Sequence, residues 1–251
     1  MKSFKRYITL LLATLFISVN GQAASFTDET LRYNIIYHWG LIWKQAGTAQ
    51  LRLRVKSDRC YSQLACRTDP WADKIFMVRD TLLSTFTKAD LKPLIYKKNA
   101  HEGDDVVHDV VRYGYTNGTV KADCSHHRSG RDPYKTIFTA TGAAFDMLSI
   151  FYYLRTLDYA NMGVGKEQTV VVFSGRRKEY LKIRYVGVDE VELYNGTKSK
   201  AHHIKFSFTQ DGNKKSSDDL DTWISLDAKK VPLMLKGKLP IGEVRCYLTK
   251  R

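Results

Sequence analysis

The sequence predicts a mainly-β protein: an open, strongly curved antiparallel barrel, or meander, packed around one central α-helix. Three observations predict it. Apolar and polar residues alternate through most of the chain after residue 25, the period at which a strand buries one face and wets the other. Two Asn-Gly pairs, Asn117-Gly118 and Asn195-Gly196, sit between apolar runs, where tight hairpin turns are expected. Only Ala143–Leu157 is apolar around much of a helical circumference, which suits burial against a sheet.

The elements follow in order. Lys2, Lys5 and Arg6 precede an apolar run from Ile8 to Val19, closed by the small-residue segment Gly21-Gln22-Ala23-Ala24. That is the three-part layout of a secretory signal peptide. The run is about 12 residues, short of the roughly 20 that cross a bilayer. The expectation is a signal peptide over residues 1–24, a periplasmic or secreted location in a Gram-negative envelope, and no membrane span after cleavage. Residues 25–251 then form a single mainly-β domain, or two sub-sheets of one continuous sheet.

Leu31–Tyr37 and Thr48–Val55 alternate on either side of a Gly40-to-Gly47 connection. Val110–Thr116 and Thr119–Ala122 flank the first Asn-Gly pair. The later strands are Thr169–Phe173, Tyr180–Val188, Glu190–Tyr194, Ala201–Thr209, Thr222–Leu226, Pro232–Leu239 and Glu243–Leu248, with short connections. Pro70 is pre-set for the first turn of a short helix over Pro70–Asp73. Asp211–Ser217 is a polar loop.

Composition narrows the function. A hydrophobic fraction of 43% with 12% aromatics supports a packed core and excludes a disordered chain. The formal net charge is +14, and +11 once the three basic leader residues are removed. In the cytoplasm that surplus would point to nucleic acid. Export excludes nucleic acid and leaves lipid head groups, lipopolysaccharide phosphates and acidic glycans. Four cysteines, Cys60, Cys66, Cys124 and Cys246, permit two disulfides in an oxidising compartment. Cys60–Cys66 would close a short loop, and Cys124–Cys246 would tie the middle of the chain to its last strand; buried free thiols are the alternative.

Catalytic and metal signatures are weak. Gly163-Val164-Gly165-Lys166 lacks the upstream glycine of a phosphate loop, and Glu167 stands where a hydroxyl is required. His202 and His203, adjacent in a strand, point to opposite faces and cannot share a metal. No nucleophile elbow surrounds Ser149. No metal or cofactor is expected. Asp146, Ser149, Tyr152 and Arg155 recur every three residues, so they spiral across one side of a helix. Asp146 and Arg155 stand about 13 Å apart by helical rise, so each needs a partner elsewhere. The residues either anchor the helix to the sheet or contact a ligand.

That helix string, with others, resembles an exported bacterial family defined as domain of unknown function 3108. The pieces are Tyr37-His38-Trp39-Gly40 leading to Ala46-Gly47, Val78-Arg79-Asp80, and Glu102-Gly103. They continue through Asp146-x-x-Ser149-x-x-Tyr152-x-x-Arg155, Trp223-Ile224-Ser225-x-Asp227 followed by Pro232, and Ile241-Gly242. The resemblance implies a curved barrel around a helix, similar to the periplasmic lipoprotein-carrier fold. It implies no activity, cofactor or catalytic residue.

The leading expectation is a non-enzymatic envelope protein that binds a lipid or anionic glycan in the concavity of the sheet. The candidate ligand residues are Tyr37, Trp39, Asp80, Asp146, Ser149, Tyr152, Arg155, Trp223 and Asp227, with Tyr33, Phe206 and Phe208 suited to the lining. A second expectation is an envelope-assembly scaffold acting through an exposed apolar patch on a protein partner. A third is a hydrolase, which needs two of Asp80, Asp146 and Asp227 within about 5–10 Å.

Overall fold

Fifteen strands form one continuous sheet in the computed structural model, which describes residues 26–209, 220–239 and 241–251. The leader and the Asp211–Ser217 loop lie outside the described residues. The first eight strands are a meander: β1 (Glu29–Trp39), β2 (Ile42–Lys56), β3 (Arg59–Thr68), β4 (Val78–Thr87), β5 (Pro93–Glu102), β6 (Asp105–Thr116), β7 (Thr119–Arg128) and β8 (Tyr134–Thr141). Helix α1 (Pro70–Asp73) links β3 to β4. Next come β9 (Ala144–Asp146), α2 (Ser149–Thr156) and α3 (Tyr159–Met162). A second meander follows: β10 (Glu167–Phe173), β11 (Lys178–Glu192), β12 (Lys198–Thr209), β13 (Leu220–Ser225), β14 (Pro232–Lys238) and β15 (Glu243–Lys250).

The meanders join where β1 pairs with β15, so the order runs from β8 through β1 and β15 to β9. The expected open ribbon is instead a nearly closed barrel. Phe138 of β8 stacks on Phe173 of β10 at 6.3 Å. The Lys178 ammonium donates to the Thr139 carbonyl at 2.8 Å. One pairing departs from the antiparallel expectation: β9 runs parallel to β10.

Two close backbone approaches explain why glycine stands at Gly47 and Gly242. A Cβ on Gly47 would lie 2.3 Å from the Arg67 carbonyl oxygen across the β2–β3 pair. Gly242 has φ +79°, and a Cβ there would meet the His38 carbonyl oxygen at 2.4 Å. Both positions therefore set how tightly neighbouring strands can lie.

The expected helix over Ala143–Leu157 is shorter, and its reason is visible. Ala144, Phe145 and Asp146 pair with Val171, Val172 and Phe173 as strand β9, so the greasy start of the segment is sheet. Asp146 and Ser149 then exchange bonds. The Asp146 amide donates to Ser149 Oγ at 2.9 Å, and the Ser149 amide donates to Asp146 Oδ1 at 2.8 Å. This reciprocal pattern follows capping-box logic and starts the helix. Ser149, Ile150, Tyr152, Leu154 and Arg155 of α2 are buried.

Tyr152 is fully buried between Phe26 and Phe86, and its hydroxyl meets Ser62 Oγ at 3.1 Å. Replacing Ser62 with alanine leaves that hydroxyl unpaired at an expected cost of about 1–2 kcal/mol. Thermal unfolding should register it as a midpoint drop of a few degrees; an unchanged midpoint would mean that another acceptor takes over.

The main core joins the inner faces of both meanders with Ile150, Tyr152 and Leu154 of α2, and includes Leu53, Phe86, Val111, Leu148, Phe173, Ile183 and Ile204. A second, smaller cluster holds Ile36, Val191, Ala201, Trp223, Leu233, Met234 and Tyr247. Trp223 pairs across strands with Met234, which pairs with Tyr247. Its neighbour Ile224 belongs to the main core, so by alternation this row lies on the opposite face. Bulges at Tyr185/Gly187 and Trp223/Ile224 bend the second meander there.

The predicted bridges are absent: all four cysteines are free thiols. Cys60 and Cys66 lie on the same strand, β3, roughly 20 Å apart by strand rise. A disulfide needs Cα atoms within about 7 Å. Cys124 on β7 and Cys246 on β15 are separated by six strands of the sheet.

Candidate functional site: the ionic mouth of the barrel

The inner faces of β5, β6 and β7 change character along their length. At one level they carry the buried Tyr96, Val111 and Cys124, which belong to the main core. Two residues further along the same face stand Lys98, Asp109 and His126, paired in register. Beyond them come Glu102, Asp105 and Arg128. Period-two geometry keeps all of these on one side, so the barrel wall passes from apolar to ionic. The β10–β11 turn, Ser174 to Arg177, closes over it: a Cβ on Gly175 would lie 2.8 Å from Asp109 Cβ. The chamber between them has a volume of about 340 Å³.

Most of its charges are matched. Lys98 Nζ bonds Glu102 at 2.9 Å, Arg128 Nε bonds Asp105 at 2.8 Å, and His126 Nδ1 contacts Asp109. Arg176 and Arg177, both exposed, line the chamber, and their guanidinium groups have no ion-pair partner among the described residues.

Three carboxyls here resist ionisation. Burial, then the neighbouring Glu102 charge, pushes Asp80 up to about 6, while the His101 amide donates to it at 3.3 Å. Burial also opposes ionisation of Glu102, but Lys98 holds it below the usual carboxylate range. Burial raises Asp109 against the bond from His126, and raises Glu179 against the nearby Arg177 and Arg176. The chamber therefore loses negative charge as the medium becomes mildly acidic.

Asp109, His126 and Ser174 are the residue types of a hydrolytic triad, but their bonding differs. The Ser174 hydroxyl donates to the Arg177 carbonyl at 3.4 Å and accepts from its amide at 3.2 Å. It serves the turn, and no contact to His126 activates it.

The nine residues singled out from sequence do not converge. Asp146 is fully buried and accepts from Ser84 Oγ at 2.5 Å, the Leu148 amide at 2.7 Å and the Ser149 amide. Burial pushes it up to about 6 against those bonds. Ser149 and Tyr152 are engaged as described above. Arg155 grips Glu29 through both terminal nitrogens and donates from Nε to the Lys229 carbonyl at 3.0 Å. Asp227 organises the β13–β14 turn, accepting from the Lys229 and Lys230 amides, and pairs with Arg251 at 2.7 Å. Trp223 stacks on His203 at 4.4 Å in the second core, its buried Nε1 without a partner among the described residues. Tyr37 donates to the Ile241 carbonyl at 3.1 Å, and Trp39 stands exposed at the end of β1. Only Asp80 adjoins the chamber.

The carboxylate-pair hydrolase loses its geometry. Asp80 lies four residues along β4 from Ser84, the partner of Asp146, or roughly 13 Å. Asp227 is in a surface turn, tied to the terminal arginine.

A larger depression of about 550 Å³ crosses β1 to β4. Arg32, Gln50, Arg67 and Arg79, which line it, belong to the face opposite the core residue Tyr33. Arg79 is already held by Asp73 at 2.6 Å, while the exposed Arg32 and Arg67 have no ion-pair partner among the described residues.

The ionic mouth left little trace in the sequence. Glu102, Asp105 and His126 stand in charged or histidine-bearing runs that read as ordinary, and they lie 50 to 80 residues before the Arg176-Arg177 pair they meet.

A solved structure titled as a beta-barrel-like protein of domain of unknown function DUF1849, from Brucella abortus, is similar to this chain with a TM-score of 0.58. The match covers 89% of this chain and 96% of that one at 8% identity, a likeness of fold alone. No curated protein matches the chain. Among the described residues no helix is long and apolar enough to cross a membrane. The model of a family of proteins of unknown function, DUF3108, matches residues 32–249, and the chain belongs to that family.

Proposed function

We propose that this is an exported, non-enzymatic envelope protein that binds the anionic head of an amphipathic ligand, a lipid or glycan, at the ionic mouth of its barrel. The observation that carries the reading is the unmatched pair Arg176 and Arg177 over a chamber already lined by Lys98, His126 and Arg128. Guanidinium groups bind phosphate or carboxylate through two parallel hydrogen bonds. In this reading α2 is the central plug of the barrel. It fills the depth, so the ligand's apolar part stays near the rim. The leader-like start of the chain and the basic surplus agree with an anionic envelope ligand.

The test is calorimetric titration with a short-chain phosphatidylglycerol, with inorganic phosphate as a second arm. Arg176→Ala combined with Arg177→Ala should weaken lipid binding about 10- to 100-fold, the worth of one or two charge-assisted bonds. Because both side chains are exposed, the fold should persist. Binding should tighten from pH 7.5 to 5.5, since Asp80, Asp109 and Glu179 take up protons ahead of ordinary carboxyls and shed their repulsion. Equal affinity of the double variant would remove the site. Phosphate binding as tight as the lipid would remove the amphiphile from the reading.

A further inference from the structure

We propose that one end of the barrel, led by the β1–β2 tip, docks the protein on an anionic lipid bilayer. Eight of the sixteen large apolar side chains exposed among the described residues lie in three neighbouring connections at this end. The β1–β2 turn presents Trp39 at 53% exposure, Leu41 at 104%, Ile42 at 44% and Trp43 at 49%. The β14–β15 turn adds Leu239 and Ile241, and the β3–β4 link adds Ile75 and Phe76.

These three connections are physically joined. The Tyr37 hydroxyl bonds the Ile241 carbonyl, and Gly242 lets its turn lie against Trp39 Cβ. On the other flank the Trp71 indole donates to the Gln45 carbonyl at 2.6 Å, and the Asp69 amide donates to the Ala46 carbonyl at 2.8 Å. The result is a braced apolar edge rather than a loose loop. Soluble surfaces scatter such residues singly; a contiguous cluster needs a cover.

Charge identifies the cover. Lys44, Lys74 and Lys238 flank the apolar tips, all exposed and none in an ion pair among the described residues. Of the acids at this end, Asp73 is engaged with Arg79, Glu243 with Lys236 and Arg245, and Asp69 accepts from Gln45, while the exposed Asp104 has no ion-pair partner among the described residues. An apolar tip bearing two tryptophans, ringed by lysines without an ion-pair partner among the described residues, of which Lys44 lies over the Trp71 ring at 4.4 Å, matches the interface of a bilayer with anionic head groups. A protein partner would be expected to match lysines with specific acids, whereas a bilayer supplies diffuse negative charge and apolar depth together. Strand direction puts the ionic mouth at the same end, because the β5–β6 and β10–β11 turns lie there with the β1–β2 turn. Docking would hold that mouth near the membrane, yet the inference stands without any ligand in it.

The test is co-sedimentation of the protein, lacking residues 1–24, with phosphatidylglycerol and phosphatidylcholine vesicles. Tryptophan emission is followed in parallel, since Trp39 and Trp43 are two of the four tryptophans. Binding to phosphatidylglycerol with a blue shift is expected. Leu41→Asp should weaken it about tenfold, with unchanged thermal unfolding because that side chain is fully exposed. Replacing Lys44, Lys74 and Lys238 with glutamine should remove the preference for the anionic lipid, each lysine contributing about fivefold. Three outcomes would overturn the proposal: no sedimentation with phosphatidylglycerol at low salt, Leu41→Asp binding as well as the parent, or self-association abolished by Leu41→Asp without vesicle binding. Leu41→Asp should leave the calorimetric titration with short-chain phosphatidylglycerol unchanged, which separates this result from the fate of the ligand site.

Discussion

Arg155→Ala is expected to destabilise the protein by about 3–5 kcal/mol, the cost of leaving one member of a buried ion pair alone. At roughly 2–4 °C per kcal/mol for a chain of this size, the unfolding midpoint should fall by about 10 °C. The Arg155 and Glu29 side chains are 4% and 18% exposed, so water compensates little when one is lost. The same guanidinium packs 5.3 Å from the Phe26 ring centroid and 5.6 Å from that of Tyr152, and it holds the Lys229 carbonyl. It therefore fastens α2 to the first strand and to the β13–β14 turn, joining the chain's beginning, middle and end. Arg155→Lys should recover only part of the loss, because an ammonium cannot reproduce the forked contact. Arg155→Met with Glu29→Met should unfold closer to the parent than Arg155→Ala alone, since no buried charge remains. A single variant within 1 °C of the parent would show that Glu29 finds water or another cation.

The strands that the sequence discloses and those it hides differ in what their inner faces carry. β11 to β15 place Leu181, Ile183, Ile204 and Leu235 on the core side, so their alternation is plain. β3, β4, β5 and β8 carry no such pattern. β3 turns Cys60, Ser62 and Cys66 inward, and β5 turns Lys98 and Glu102 inward, so hydrophobicity has no period to reveal. The ionic mouth and the missing strands thus have one cause: a barrel wall that is polar on its inner face at one end. Asn117-Gly118 makes the expected turn, both residues at positive φ. Asn195 instead accepts from the Thr197 amide and hydroxyl within a wider loop. Glu190–Tyr194, expected as a separate strand, continues β11 past the bulge at Gly187. The helix motif was legible as four polar residues needing partners. Which partners, Ser62, Ser84 and Glu29, could not be read, because pairing across 60 to 130 residues depends on sheet order.

Asp146→Ala and Asp146→Asn should differ sharply, and the difference has a pH signature. Alanine strands the Leu148 and Ser149 amides and the Ser84 hydroxyl in a dry core, an expected loss of about 3–6 kcal/mol from two or three unpaired groups. Asparagine is nearly isosteric. Its carbonyl can keep both amides, and its amide can donate to Ser84 once that hydroxyl rotates. The parent carboxyl has a folded value near 6, raised from 3.8 by burial. With the acid easier to ionise in the unfolded chain, its contribution is most favourable below about pH 4. It declines as pH rises through the window from about 4 to 6, then levels off. The total decline is about 3 kcal/mol, given 1.36 kcal/mol for each pKa unit. Denaturant melts at steps from pH 4 to 7 should show this slope in the parent and lose it in Asp146→Asn, which should equal or exceed the parent at pH 7. The same slope in both proteins would assign the proton to another group, such as Asp80. An alanine variant as stable as the asparagine one would remove Asp146 from its place as the anchor between β4, β9 and the start of α2.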